Sequence, residues 1–77
     1  MTVIAEIRKN ARETLRVEVG EFKGKPVVNC RGWIPKDDGT WIPTAKGLTL
    51  NPDLLPQTIA ALTAAHDHAV GLGLVDG

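Results

Sequence analysis

Phe22 and Trp33 are interspersed with the cations Arg16, Lys23, Lys25, Arg31 and Lys46. Cations track a phosphate backbone while bases stack on neighbouring rings, at roughly 1–3 kcal/mol per base and with little regard for sequence. That combination is the chemistry of single-stranded nucleic-acid binding. Other chemistries find less support. Cys30 is the sole cysteine and has no histidine near it in sequence; strand alternation places it on a core face, where a thiol packs rather than reacts. His66 and His68, two apart on a helical segment, point to different faces and are not expected to share a metal. Asp37 and Asp38 precede Gly39 and read as turn residues. With no glycine loop for phosphates and no paired carboxylates, we expect a binding protein rather than an enzyme, with no catalytic residue, metal or cofactor.

The elements that must position these residues follow from periodicity. Residues 1 to 12 are polar, mixed in charge and without a sustained period, which suggests a flexible arm. From Thr14 the period becomes two: Leu15, Val17 and Val19 alternate with Thr14, Arg16 and Glu18, the pattern of a half-buried strand. Gly24 supplies the positive φ of a tight hairpin turn, and a second strand runs from Val27 to about Ile34. Asp38-Gly39 marks another turn. Short strands fit Thr40 to Ile42 and Leu48 to Leu50, joined through Pro43 to Gly47. A helix starts near Asn51 to Asp53, and Leu55, Ile59, Leu62, His66 and Ala69 form one narrow stripe along it. Gly71 to Gly73 end the helix. The expected class is α+β: a four-stranded antiparallel sheet followed by a C-terminal helix, whose stripe packs on the sheet's apolar face or on a partner helix.

Folding the first hairpin about Lys23-Gly24 sets Phe22 opposite Lys25, Val19 opposite Val28, Val17 opposite Cys30, Arg16 opposite Arg31 and Thr14 opposite Trp33. One face then collects Leu15, Val17, Val19, Val28 and Cys30. The other collects Arg16, Phe22, Lys25, Arg31 and Trp33. Facing arginines repel unless an anion lies between them. The competing arrangement has Glu18 bridging the arginines, with Phe22 and Trp33 packed under the arm or a partner subunit.

The 77 residues allow one domain, and a core of that size sits close to break-even against chain entropy. A single cysteine rules out an internal disulfide, so self-association is the expected remedy. All nine basic residues lie in the first 46 positions beside six acids, giving +3; three aspartates and no bases follow, giving −3. That asymmetry suits a basic working surface on a neutral chain. No segment approaches the ~20 apolar residues that span a bilayer, and the start lacks the apolar run of a signal peptide. The expected setting is a soluble protein of the cytoplasm, with no membrane partner.

The segments Val17-Glu18-Val19-Gly20-Glu21-Phe22-Lys23-Gly24-Lys25, Arg31-Gly32-Trp33, Asp38-Gly39 and Lys46-Gly47-Leu48-Thr49-Leu50-Asn51-Pro52 resemble the DNA-binding domain of the transcriptional coactivator family of positive cofactor 4. The resemblance runs from about Leu15 to Val70. It implies a curved four-stranded sheet and a helix paired as a homodimer, with single-stranded DNA in two antiparallel channels over the sheet ridges. Phe22, Lys23 and Lys25 match the family's first ridge, Arg31 and Trp33 its second strand, and Lys46 its later lysine. Thr44-Ala45 replaces a more basic stretch, which implies weaker binding. The serine-rich regulatory arm of eukaryotic members is not found in this sequence, so the resemblance is to a compact bacterial or phage member.

Together these readings give an arm over 1–12, a single-stranded nucleic-acid-binding domain over 13–70 and a loose tail over 71–77. The expected partners are single-stranded DNA or RNA and a second copy of the chain. The expected process is transcription regulation of a coactivator kind, replication or repair. The rival is a dimeric protein-interaction module that uses the exposed rings.

Overall fold

The computed structural model describes residues 1–76. Strands β1 (Thr2–Arg8), β2 (Thr14–Phe22), β3 (Lys25–Pro35) and β4 (Trp41–Leu50) are followed by a short 3-10 turn at Pro52–Leu54 and helix α1 (Leu55–Gly71). The strands form one antiparallel sheet in sequence order, with β1 and β4 at its edges.

The central hairpin has the register expected from its sequence, from Thr14 opposite Trp33 to Phe22 opposite Lys25. Lys23 and Gly24 both take positive φ, 53° and 79°, the two-residue turn whose twist matches that of the flanking strands. The other strands differ from expectation. Residues 2–8, read as a flexible arm, pair with β2 as an edge strand. A register shift between Val3 and Ala5 breaks the alternation there, so a strand rich in β-branched residues carries no clean period of two. Asn10 then closes the connection to β2, its Oδ1 accepting from the backbone N–H groups of Arg12 and Glu13, each at 2.9 Å.

The two short strands expected between residues 40 and 50 are one continuous strand. Its register jumps between Arg31 opposite Gly47 and Trp33 opposite Pro43, so residues 44–46 bulge against Gly32. Thr44 fills the bulge, its hydroxyl donating to the Gly32 carbonyl at 3.0 Å and accepting from the Lys46 N–H at 3.2 Å. As an edge strand, β4 tolerates Pro43, which has no N–H to give to the ladder.

Asn51 caps the 3-10 turn by accepting from the Asp53 N–H at 2.9 Å. At the far end Leu74 N–H donates to the Ala69 carbonyl and Gly73 N–H to that of Val70, with Gly73 at φ 75°, a Schellman closure. Between these ends α1 buries none of its residues, and Ile59 and Leu62 are exposed. The helix therefore does not cover the sheet as expected of a monomer core. The apolar face is itself thinly protected: Val28 is buried, Leu15, Val17 and Cys30 are half-buried, and Val19 and Leu48 are exposed. The Cα radius of gyration is 14.5 Å, against about 11.5 Å for a compact chain of this length.

Candidate nucleic-acid interface

Alternation along β2 and β3 puts Thr14, Arg16, Glu18 and Phe22 on the same face as Lys25, Asn29, Arg31 and Trp33. At the hairpin tip Phe22 is 62% exposed, and the Lys23 ammonium lies 5.5 Å from the centre of its ring, within cation–π range. Lys25 is the cross-strand partner of Phe22 and is also exposed. Behind the tip a groove of about 380 Å³ is lined by Met1, Phe22, Val27, Asn29, Arg31 and Thr49. The fold thus brings Phe22, Lys23, Lys25 and Arg31 together.

Arg31 is held in that groove by β4. Its Nη1 donates to the Thr44 carbonyl at 2.9 Å and its Nη2 to the Thr49 hydroxyl at 3.3 Å. The Thr49 hydroxyl donates onward to Asn29 Oδ1 at 2.6 Å. A guanidinium fixed by two partners loses less side-chain entropy when it meets a phosphate than a free one does.

Arg16 takes a different environment. It forms an ion pair with Glu6 of β1 at 3.1 Å and lies over the Trp33 ring with 4.0 Å between Cζ and the ring centre. Trp33 is half-buried under it. The suggested bridging of the arginines by Glu18 is not formed. Glu18 is 8% exposed and makes no ion pair among the described residues. Arg16 Nε and Trp33 Nε1 are buried with no acceptor among the described residues. Lys46 is exposed in the β4 bulge and does not line the Phe22 groove.

Glu6, Thr44 and Thr49 were absent from the sequence-based site. Thr49 was within reach of it: the alternation Leu48-Thr49-Leu50 places its side chain opposite Asn29 once β3 and β4 are paired. Glu6 depends on β1, whose broken period hid it. On the reverse face Cys30 pairs with Val17 and Leu48 and is half-buried, away from every cation named above. His66 and His68 are exposed on α1, and no cluster of three metal-ligating side chains occurs among the described residues.

A family model described as Transcriptional Coactivator p15 (PC4) matches residues 9–61. Among solved structures, the chain is similar to a PC4 homologue from Burkholderia pseudomallei in two crystal forms. In the orthorhombic form the identity is 31% and the TM-score 0.77, covering 84% of this chain and 88% of that one. In the tetragonal form the identity is 31% and the TM-score 0.78, covering 84% and 96%. A bacteriophage T5 homologue of the eukaryotic coactivator, implicated in recombination-dependent DNA replication, shares the fold at 24% identity and TM-score 0.64, covering 94% of this chain and 78% of that one. No curated protein matches the chain.

Proposed function

The chain belongs to the transcriptional coactivator p15 (PC4) family, a DNA-binding family, and on that premise we propose that it binds single-stranded DNA as a sequence-tolerant homodimer. The observation that carries this reading is the bare Phe22 ring flanked by Lys23 and Lys25 beside the braced Arg31. A base stacks on such a ring while its phosphates meet the cations. Trp33 and Arg16 extend the same face, and Lys46 supplies a further cation from β4. The reading involves binding alone, with no catalytic step. It suits a cytoplasmic protein that acts on opened duplex during transcription, replication or repair; no described helix is long and apolar enough to cross a membrane.

Self-association is supported by area. The accessible surface is 5926 Å², against about 4,600 Å² for a compact monomer of this mass. The excess, roughly 1,300 Å² per chain, is of the order that one partner contributes to an obligate dimer interface. The apolar stripe of α1 and the sheet's thinly covered face are the surfaces a second copy would cover.

Fluorescence anisotropy with a labelled thymidine oligonucleotide and a matched duplex, between about 50 and 200 mM salt, tests the function. The single strand should bind more tightly, with affinity falling steeply as salt rises because phosphate contacts release counterions. Equal or absent binding of both, or affinity indifferent to salt, would reject the reading in favour of a protein-interaction module.

A further inference from the structure

The polar face carries a second concavity at the end of the sheet opposite the hairpin tip, about 430 Å³, lined by Glu6, Arg8, Thr14, Arg16 and Trp41. It is built from both edge strands, with Glu6 and Arg8 on β1 and Trp41 on β4. In register, Arg8 faces Thr14 and Glu6 faces Arg16, so these four side chains share the face that bears Phe22. Trp41 belongs to it as well, two positions along β4 from Pro43, the partner of Trp33. Its side chain is open to solvent, with the residue 40% exposed. None of Glu6, Arg8 and Trp41 was singled out as a binding residue from the sequence, and β1 lies before the residues that the family model spans.

We propose that this concavity is a second nucleotide subsite, in which Trp41 stacks a base and Arg8 holds a phosphate of the same strand. The inference rests on the single-strand reading above and extends the strand's path across the sheet. The charges select the residue that binds. Glu6 is committed to Arg16 at 3.1 Å, which leaves that pair close to neutral, whereas Arg8 makes no ion pair among the described residues. Two arginines against one glutamate give the cleft a formal charge of +1. An anionic ligand suits it better than a cation would. Along β2, Arg16 stands six residues from Phe22, about 20 Å at the rise of an extended strand. The two concavities share no lining residue and are separate stations on one face.

The pairing of Glu6 with Arg16 gives the proposal a prediction of unusual sign. Removing the Glu6 charge releases Arg16 and removes a repulsion from the incoming phosphate, so Glu6→Gln should tighten binding. A merely structural role for the pair would give no change or a loss. Three variants, Arg8→Ala, Trp41→Ala and Glu6→Gln, are titrated with a labelled thymidine oligonucleotide, each with its circular dichroism and sedimentation checked. Arg8→Ala should weaken binding and lower the salt slope by roughly 0.7. Trp41→Ala should weaken binding roughly five- to 150-fold, as the loss of one stacked base does. Glu6→Gln should bind severalfold more tightly. If the wild type binds and all three variants match it, the subsite is refuted while the Phe22 face stands. If Arg8→Ala or Trp41→Ala dissociates the dimer instead of changing affinity in a folded dimer, the concavity is a subunit contact and the proposal falls. If the wild type itself does not bind, the underlying reading fails first. Where Trp41→Ala disturbs the fold, Trp41→Phe should retain most of the affinity and Arg8→Ala still decides.

Discussion

Arg16 and Arg31 are direct cross-strand partners on β2 and β3, yet their guanidinium groups are drawn to opposite edges of the sheet. Arg16 turns to Glu6 on β1 and lies over Trp33; Arg31 turns to Thr44 and Thr49 on β4. Repulsion between facing like charges is thereby relieved without an anion between them. The two arginines thus end in different electrostatic environments. One is neutralised by a carboxylate, and the other is braced by neutral oxygen acceptors and keeps its full charge.

Arg31→Ala should accordingly weaken single-strand affinity and lower the salt slope by roughly 0.7, the share of one phosphate contact. Thr49→Val keeps the shape of the side chain but removes the hydroxyl that holds the guanidinium. It should lose part of the affinity while the slope stays near that of the wild type, because the charge remains. Salt titrations of both variants check this, and a normal slope in Arg31→Ala would mean that Arg31 touches no phosphate.

Phe22 and Trp33 should separate in their effects. Phe22 stands 62% exposed at the hairpin tip, so Phe22→Ala should cost roughly 1–3 kcal/mol of binding and leave the thermal midpoint nearly unchanged. Trp33 is half-buried beneath Arg16. Its replacement by alanine should lower the midpoint as well as the affinity. Thermal melts beside titrations distinguish the two, and a midpoint that falls in Phe22→Ala but not in Trp33→Ala would reverse the assignment.

The division between what the sequence disclosed and what it hid follows local geometry. The β2–β3 hairpin was legible pair by pair, because a two-residue turn at Lys23-Gly24 fixes the register and an unbroken alternation fixes the faces. The edge strands were not. In β1 the shift at Val3/Ala5, and in β4 the bulge at residues 44–46, each interrupt the period of two, so one was read as an arm and the other as two fragments. The register of the central hairpin therefore sets Arg16, Phe22, Lys25, Arg31 and Trp33 on one face, as the sequence implies. The partners supplied from the edges, Glu6, Thr44 and Thr49, were missed. The helix stripe was read correctly as a pattern, but a stripe does not say which surface it meets.

Gly47 is the point where the β4 bulge rejoins the ladder. It has φ 143°, and a Cβ there would meet the Cys30 carbonyl oxygen and come within 2.6 Å of Arg31 Cα. Gly47→Ala should cost about 1–3 kcal/mol of stability, as strained backbone does, and should displace Arg31 with it. Gly24 also has positive φ, but a Cβ there meets nothing within 4 Å. Denaturant melts should therefore show Gly47→Ala as more destabilised than Gly24→Ala, and equal losses would leave backbone strain as the sole effect.

Asp38 closes the turn between β3 and β4. Its Oδ1 accepts from the Thr40 hydroxyl at 2.6 Å and the Thr40 N–H at 3.0 Å, and these bonds, led by the hydroxyl, hold its carboxyl below the ordinary aspartate range. A group whose folded pKa is depressed contributes stability above its unfolded pKa and loses it as pH falls through the folded value. Asp38→Ala should therefore lower the thermal midpoint at neutral pH, and the difference from wild type should shrink once acid protonates the carboxylate. A difference that persists undiminished in strong acid would show that the carboxylate's charge is not what holds the turn.

The final prediction concerns the exposed helix. Ile59 and Leu62 are 60% and 65% exposed, an arrangement with little benefit to a lone chain whose core is already thin. If a second copy covers this stripe, Leu62→Asp must place a charge in an apolar interface. It should then shift sedimentation equilibrium toward the monomer mass and lower the thermal midpoint. Affinity for single strands should fall as a consequence, because a dimer presents two basic faces to one strand and its second contact is made at high effective concentration. The order of events is the test. At protein concentrations high enough to restore the dimer, Leu62→Asp should regain affinity, whereas Phe22→Ala should not. A wild type that sediments as a monomer at every working concentration and still binds single strands tightly would overturn the dimer, and the exposed stripe would need another occupant.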